Sequence, residues 1–170
     1  MAVDVRPKQA GDSDWEILAV GKAAWLSGHK PLLTAEEYAL VLAATSNDVL
    51  HSSWLTNKPK SEFTVLAVDG ARIVGLGQLC TKTEANDYGL VEPMDVLPQY
   101  QGQHLGTRIW NELKTYSQQR GDKGLQVWAL DDNDAAIAFY KGMGCTAVAK
   151  GEFWIDSFPH KPATGFQVDF

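Results

Sequence analysis

The segment from Val96 to Gly106 combines residue types and spacing that bind a phosphate group through the backbone. A strand pattern ends at Pro98, a turn contains Gly102, and apolar residues then recur at helical spacing from Leu105 to Tyr116. The first N–H groups of a helix lack intrahelical acceptors, and the helix dipole places partial positive charge on them. A phosphate can therefore bind at this junction without a charged side chain.

The same pattern is also typical of an ordinary strand-to-helix connection, but a second segment favours the phosphate site. Residues Asn133 to Gly144 follow another predicted strand, Leu125 to Leu130. Together the two segments resemble the acyl-CoA-binding core of the GNAT N-acetyltransferase superfamily. In that family a strand ends in Val-x-Pro, Arg/Gln-Gly-x-Gly-x-Gly opens a helix, and Asn-x-x-Ala-x-x-x-Tyr comes later. The matching residues are Val96, Pro98, Gln101, Gly102 and Gly106, followed by Asn133, Ala136 and Tyr140.

Two positions depart from the family pattern. His104 stands where the family has its middle glycine, and Cys145 replaces the Phe that usually follows Gly144. If the backbone at residue 104 needs a positive φ, a histidine is strained there. If that residue is already helical, the histidine is tolerated and its ring can contact a phosphate.

The resemblance implies acetyl-CoA as co-substrate and assigns residues to hold it. Two parallel strands are expected to splay apart after Met94 and Ala129, so that the pantetheine arm inserts like another strand. The main-chain N–H of Val96 faces the acyl carbonyl, the pyrophosphate lies over the amides that follow, and Arg108 is either an added charge or a solvated cation. The expected coenzyme-binding residues are Met94, Asp95, Val96, Gln101, Gly102, Gln103, His104, Leu105, Gly106, Thr107, Asn133 and Tyr140.

Tyr140 is the general acid that the resemblance implies. A phenol with a pKa of about 10 can donate a proton to a departing thiolate, whose parent thiol has a pKa of about 8.5. Simple packing on the sheet is the plainer role for an aromatic residue at this helical position. Asn133 is expected to cap the same helix and, in the resembling family, also to contact the coenzyme arm.

An amine acceptor also needs a base, because an ammonium group with a pKa of about 10.4 has no lone pair for attack. Glu92 precedes Val96 by four residues, so strand alternation places both on one face unless a bulge intervenes near Pro93. Glu92 is therefore the leading candidate, Asp95 is the alternative if a bulge shifts the register, and water is the third. Candidates for lining the acceptor pocket are Trp25, His29, Trp54 and Trp128.

The composition favours one folded domain and excludes several classes of protein. A chain of 170 residues buries about 70% of its unfolded surface, which is enough for a core. The net charge of −6, without a basic cluster, argues against nucleic acid and suits cationic small molecules. The histidines and cysteines follow no metal-ligand spacing, so we predict no metal. The charged N-terminus and short apolar runs predict a cytoplasmic protein that does not span a membrane.

The order of predicted elements indicates an α/β (α+β) fold. We expect a single-domain GNAT-like sheet, mixed and mainly antiparallel, with a splayed parallel central strand pair flanked by helices. One N-acetyltransferase domain is predicted over residues 1–170. Its acyl-CoA core covers about 88–145, its acceptor-side helices about 12–56, and a C-terminal extension about 156–170.

Local signals place several turns and helix starts. Capping-box sequences at residues 13–16 and 34–37 predict two N-terminal helices. Asp69-Gly70 predicts a hairpin, and Gly151 predicts a final hairpin between Thr146–Lys150 and Glu152–Ile155. The segment from Phe158 to Phe170 is either an added edge strand or a partner-binding tail.

The sequence therefore predicts an N-acetyltransferase that moves an acetyl group from acetyl-CoA to a primary amine of a small molecule or peptide, by direct attack through a tetrahedral intermediate. The expected partners are that amine and, in a possible homodimer, a second copy of the chain. The alternative is a noncatalytic acyl-CoA-binding or interaction module of the same fold. The chain has no Gly-x-Ser-x-Gly and no Gly-x-Gly-x-x-Gly that opens a helix, which disfavours a serine hydrolase and a dinucleotide oxidoreductase.

Overall fold

The computed structural model describes residues 2–45, 61–80, 87–153 and 160–170. The chain divides into two compact units. The first unit comprises Met1–Gly28, Ser61–Gln126 and Asp169–Phe170, and the second comprises His29–Lys60 and Val127–Val168.

Seven strands and four α-helices make up the described elements. The strands are β1 (Asp4–Pro7), β2 (Ser61–Asp69), β3 (Arg72–Cys80), β4 (Gly89–Val96), β5 (Gly124–Leu130), β6 (Thr146–Phe153) and β7 (Lys161–Asp169). The helices are α1 (Asp14–His29), α2 (Ala35–Thr45), α3 (Leu105–Arg120) and α4 (Asp134–Gly142), with 3-10 turns at Lys30–Leu32 and Pro98–Tyr100.

The sheet has the strand order β1-β2-β3-β4-β5-β7-β6. β4 and β5 pair in parallel at Gly89–Leu125 and Leu90–Gln126, whereas β1–β2, β2–β3, β3–β4 and β6–β7 pair antiparallel. The predicted mixed, mainly antiparallel sheet with a central parallel pair is confirmed. The splaying of that pair stays a prediction.

In the first unit, α1 and α3 cover opposite faces of the sheet. A Cβ at Gly77 would lie 2.4 Å from Ile109 of α3, and a Cβ at Gly21 in α1 would lie 3.5 Å from Leu76. Since Leu76 and Gly77 are consecutive strand residues, their side chains point to opposite faces. The fully buried Ile109 and Leu113 therefore fill one layer of the core, and α1 covers the other.

The observed turns and helix caps agree largely with those predicted from the sequence. Gly70 has φ 61 and closes the β2–β3 hairpin. Thr34 and Glu37 form a reciprocal capping box at α2, with distances of 3.1 and 2.8 Å. At α1, Ser13 accepts from the Glu16 N–H at 3.3 Å, but the Glu16 carboxylate accepts from the backbone of β3.

The predicted hairpin around Gly151 is wrong, because β6 runs through this residue without a turn. Gly151 pairs with Ala163 of β7 inside the strand, while Ile155 lies outside the described residues. The ring of Trp128 lies 3.1 Å from the point that a Cβ of Gly151 would occupy, and 3.1 Å from the corresponding point at Gly165. These glycines make room for an indole ring, so close approach explains Gly151 and turn chemistry does not.

The C-terminal segment is neither an edge strand nor a tail. β7 lies between β5 and β6, and its residues Ala163 and Phe166 are buried. The alternating pattern of residues 166–170 predicted a strand correctly but contained no information on its neighbours. A strand with partners on both sides is part of the sheet, which corrects both alternatives that the sequence left open.

The residues that the structure describes include neither a membrane-spanning helix nor a cluster of metal ligands. Residues 2–45, 61–80, 87–153 and 160–170 include no helix that is long and apolar enough to cross a membrane. The same residues include no group of three or more His, Cys, Asp or Glu side chains arranged to hold a metal ion.

Candidate functional site

The connection from β4 to α3 has the backbone geometry of an anion site. Gln101 is extended with φ −68, and Gly102 and His104 have positive φ values of 75 and 59. The φ of Gln103, between them, is not positive. Positive φ values in a turn are typical of backbone nests, in which successive N–H groups line an anion-binding concavity. We call residues 101–107 the cradle.

His104 adopts the left-handed conformation, so the strained alternative holds. Its φ and ψ are 59 and 16, and a non-glycine residue in this region costs about 1–2 kcal/mol. The exposed imidazole makes no capping hydrogen bond to α3. The first helical bond runs from the N–H of Arg108 to the carbonyl of His104, at 3.1 Å. The preceding amides of the helix are therefore left for a ligand.

Side chains fix the cradle at both ends. Gln101 Nε2 donates to the carbonyl oxygen of Val96 at 3.0 Å. Arg108 donates to the carbonyl oxygen of Val3 at 2.8 Å, so its guanidinium contacts the chain just before β1. Arg108 therefore joins the first helical turn to the N-terminal strand, a role that neither sequence interpretation included.

The N–H of Val96 points away from β3. Leu97 donates its N–H to the carbonyl oxygen of Val74 at 3.0 Å, which makes Leu97 and Val74 a hydrogen-bonded pair. Such pairs alternate along an antiparallel ladder, so Val96 and its partner Gly75 form a pair without mutual bonds. The Val96 amide is thus free of β3, as the oxyanion role predicted for it requires.

A bulge interrupts β4 at Glu92 and Pro93. Gly77 pairs with Met94 and Leu79 pairs with Val91, so β4 contains one residue more than β3 over this stretch. The Cys80 thiol donates to the carbonyl oxygen of Glu92 at 3.7 Å. The alternation that would place Glu92 on the face of Val96 is therefore broken. The bulge near Pro93, which the sequence left open, is present.

The second unit contains the other two predicted site residues. Asn133 Oδ1 accepts from the N–H of Ala136 at 3.1 Å, which confirms the predicted cap of α4. Tyr140 is 7% exposed, and its ring lies 5.4 Å from that of Phe139 and 6.4 Å from that of Phe166. Tyr140 thus packs on β7, and its catalytic role stays a prediction.

A family model described as the acetyltransferase (GNAT) family matches residues 30–145, which is more than half of the chain. The chain belongs to the acetyltransferase (GNAT) family. This confirms the resemblance that residues 96–144 indicated.

Two relatives share part of this GNAT sequence. The thialysine N-epsilon-acetyltransferase of Mus musculus is 31% identical over 90 residues, covering 51% of this chain and 52% of the relative. An uncharacterised N-acetyltransferase of Methanocaldococcus jannaschii is 27% identical over 94 residues, covering 54% of this chain and 42% of the relative. The chain therefore spans about half the length of these relatives.

A solved structure supports the GNAT fold over the whole length. The crystal structure of the PaiA N-acetyltransferase from Thermoplasma acidophilum, in complex with coenzyme A, has a TM-score of 0.71 to this chain. The match covers 100% of both chains at 12% sequence identity. At that identity the likeness concerns the fold.

The residues predicted to line the acceptor pocket of this GNAT chain have different environments. Trp25 is 7% exposed and belongs to the core of the first unit, which favours a packing role. His29 is half-buried at the end of α1, and Trp54 lies outside the described residues. Trp128 is 41% exposed and its ring packs against Gly151 of β6 and Gly165 of β7, and its role in the acceptor pocket stays a prediction.

Besides the contact of Arg108 with Val3, sequence reasoning missed two side-chain contacts near the predicted site. Tyr100 donates to Asp69 at 2.9 Å across 31 residues of sequence. In the second unit, Lys150 donates to Asp131 at 2.8 Å and to Thr164 at 2.7 Å, and the hydrogen bond from Lys150 lowers the pKa of Asp131. No local motif marks either contact, because the register of distant strands brings the partners together.

Proposed function

We propose that this chain is an N-acetyltransferase that transfers the acetyl group of acetyl-CoA to a primary amine of a small molecule or peptide. The observation that carries the proposal is the cradle. Its helix N-terminus has no side-chain cap and its turn contains two positive-φ residues, so backbone amides are left without an intrahelical acceptor where the pyrophosphate of the coenzyme would bind. The coenzyme A complex of the Thermoplasma acidophilum relative is consistent with this ligand.

The proposed reaction is a direct attack of the amine on the thioester. The amine nitrogen forms a bond to the carbonyl carbon, giving a tetrahedral intermediate whose oxyanion accepts from the N–H of Val96. Collapse of the intermediate breaks the carbon–sulfur bond, and the departing thiolate takes a proton from Tyr140. The products are the N-acetylated amine and free coenzyme A.

The ammonium form of the amine must lose one proton before the attack, and β4 supplies two carboxylates for it. The nitrogen of the intermediate loses a second proton, which restores the phenol of Tyr140. The bulge at Glu92 and Pro93 meets the condition under which Asp95 replaces Glu92 as the leading candidate, and Glu92 is then the alternative, since a bulge can re-aim a side chain towards an active site. Asp95 pairs with Leu76, whose side chain lies on the α1 face, so Asp95 points towards α1. Either carboxylate can take the proton directly or through water.

The proposal also covers the remaining expectations. Residues 1–170 would act as one N-acetyltransferase domain, with the acyl-CoA core at about 88–145 and acceptor-side helices at about 12–56, and with the strand β7 as part of its sheet. It would work in the cytoplasm without a metal or nucleic acid, alone or as a homodimer. Met94 to Val96, the cradle, Asn133 and Tyr140 would contact the coenzyme.

A thiol-release screen tests the proposal. The chain is incubated with acetyl-CoA and a panel of amines, including polyamines, amino acids, antibiotics and peptides with free N-termini. We expect coenzyme A release that depends on the amine, with the acetylated product seen by mass spectrometry. Both cysteines are buried, which limits the background signal from thiol reagents. Tight binding of acetyl-CoA without amine-dependent release would instead identify a noncatalytic binding module.

A further inference from the structure

We propose that Tyr100 is a positioning residue, which holds the cradle in its binding conformation through a hydrogen bond to Asp69. This inference rests on the proposed function, because it assigns a role in binding the coenzyme pyrophosphate. The hydroxyl of Tyr100 donates to Asp69 Oδ2 at 2.9 Å. Asp69 is the last residue of β2, and Tyr100 ends the 3-10 turn that leads directly into the cradle.

The local backbone alone holds this turn weakly. Within it, the N–H of Tyr100 donates to Leu97 at 2.9 Å and that of Gln101 donates to Pro98 at 3.2 Å. A single 3-10 turn has poorer hydrogen-bond geometry than an α-helix. The β2–β3 hairpin is a firmer support, since Asp69 pairs directly with Arg72 across a two-residue loop.

The cradle needs this support because its backbone is strained. His104 stays in the left-handed region only if the surrounding structure fixes it there. Arg108 fixes the helical end of the cradle by donating to the carbonyl oxygen of Val3. Gln101, the first residue of the cradle, donates its side-chain amide to the carbonyl oxygen of Val96 in β4. Tyr100 adds the connection to the hairpin, so the segment is fixed to β1, β4 and the β2–β3 hairpin.

The chemistry of the bond suits a permanent contact. A hydrogen bond from a phenol to a carboxylate is charge-assisted and roughly twice as strong as one between neutral groups. A phenol with a pKa of about 10 is protonated at neutral pH and can donate there, and the bond to Asp69 raises the pKa of Tyr100 further. The ring of Tyr100 is half-buried, so we expect it to keep its place when only the hydroxyl is removed.

The first experiment compares two acyl donors in Tyr100→Phe. Acetyl-CoA contains the pyrophosphate, whereas S-acetylpantetheine lacks it. We expect the Kd for acetyl-CoA, measured by calorimetry, to rise about 3- to 10-fold, in line with a loss of about 1 kcal/mol. The KM for S-acetylpantetheine and the kcat with either donor should stay unchanged.

Tyr88→Phe is a matched control in the same unit. Tyr88 donates to Asp169 at 3.0 Å, and that bond likewise raises its pKa, but it precedes β4 at the end opposite the cradle. We expect Tyr88→Phe to leave acetyl-CoA affinity unchanged. Asp69→Ala should reproduce the effect of Tyr100→Phe, and the double variant should be no worse than either single variant.

A ligand-free measurement separates this inference from the proposed function. Amide hydrogen exchange of residues 102–107 should be faster in Tyr100→Phe than in the wild-type chain, without any coenzyme present. Equal exchange in the two proteins, or an equal loss of affinity for both donors, would overturn the positioning role. Failure of the wild-type chain to bind acetyl-CoA would overturn the proposed function, while faster exchange would still support the contact.

Discussion

Two strand-to-helix junctions in this chain have the same local architecture but differ in the side-chain cap at the start of the helix. The first junction, residues 97–107, joins β4 to α3, and the second, residues 131–136, joins β5 to α4. At the second junction, Asn133 occupies the N-cap position and accepts from the helix with its own side chain. At the first junction, His104 occupies that position and provides no side-chain cap.

The difference shows what makes a helix N-terminus available to a ligand. A capping side chain satisfies the amides that an anion would otherwise contact. The first junction leaves its first helical amides without a side-chain cap and has positive φ at Gly102 and His104, at a cost in backbone strain. The uncapped, strained helix start is therefore the feature on which the proposed coenzyme site depends, more than the glycine in the turn.

The largest effect that we expect separates chemistry from binding. Tyr140→Phe should lower kcat about 100-fold, because it removes the proton donor for the leaving thiolate. The Kd for acetyl-CoA should change less than about 2-fold, since the phenyl ring keeps its packing on Phe166. Steady-state kinetics with saturating substrates and calorimetry measure the two quantities.

Tyr116→Phe, the same change in α3, is the control and should leave kcat unaltered. Unchanged turnover in Tyr140→Phe, when chemistry limits the rate, would leave Tyr140 with a packing role only.

The second prediction concerns the first junction, where the main effect should be on the Kd for acetyl-CoA. Gly102→Ala should raise the Kd for acetyl-CoA about 10-fold, because a Cβ at φ 75 forces the cradle to rearrange. Gly121→Ala is the matched control. Gly121 also has positive φ, 83, and a Cβ added there would meet no atom within 4 Å, but this glycine ends α3.

Both glycine variants should lose about 1–2 kcal/mol of unfolding free energy in urea titrations. Only Gly102→Ala should lose coenzyme affinity. A similar loss of affinity in both variants would attribute the effect to stability and remove the distinction between the two ends of α3.

The third prediction divides the two roles of Asn133. Asn133→Ala should lower the free energy of unfolding by about 1 kcal/mol through loss of the cap. Asn133→Ser keeps a capping oxygen but has no amide donors, so it should recover most of that stability. If the amide also contacts the coenzyme arm, the serine variant should still bind acetyl-CoA about 3-fold more weakly. Full recovery of affinity would limit Asn133 to capping.

Local signals in the sequence predicted most of the fold. Glycines with positive φ at residues 70, 102, 121 and 144 mark turns or helix ends, and capping residues mark the starts of α2 and α4. These features depend on a few neighbouring residues, so the sequence contains them directly. Gly151 shows the limit of this reasoning, since a glycine is needed there to make room for a tryptophan ring from another strand.

The candidate site was predictable where it consists of backbone and not where it depends on register. The cradle follows from its strand, turn and helix pattern. The face of Glu92 does not, because the bulge at Pro93 is fixed by pairing with β3. The contact between Tyr100 and Asp69 is equally invisible in sequence, since 31 residues and a hairpin separate its partners.

The fourth prediction measures the strain at the first junction. His104→Gly should raise the free energy of unfolding by about 0.5 kcal/mol, because relief of the left-handed strain exceeds the added entropy of the unfolded chain. His104→Ala keeps the strain and should give no gain. Equal losses of acetyl-CoA affinity in both variants would show that the imidazole contacts the phosphates; unchanged affinity would show that the backbone suffices.

The last and smallest effect concerns the second junction in acid. Hydrogen bonds from Lys150 and then Thr164 lower the pKa of Asp131 in the folded chain. The unfolded value is about 3.9, so the stabilisation is fully present above that pH and is lost as pH falls through the lower folded value. Thermal unfolding should therefore show a constant deficit of Asp131→Asn from pH 7 to about 5, which shrinks below about pH 4.

Lys150→Met tests the cause of this pH dependence, because it removes the largest contribution to the shift. Its deficit should shrink over the same acid range, and the double variant should add little to either single variant. At any one pH, Asp131→Asn should bind acetyl-CoA as the wild-type chain does, since the backbone amides of the cradle do not titrate. A parallel loss of affinity would mean that the ion pair between Lys150 and Asp131 also supports coenzyme binding, in addition to stabilising the fold.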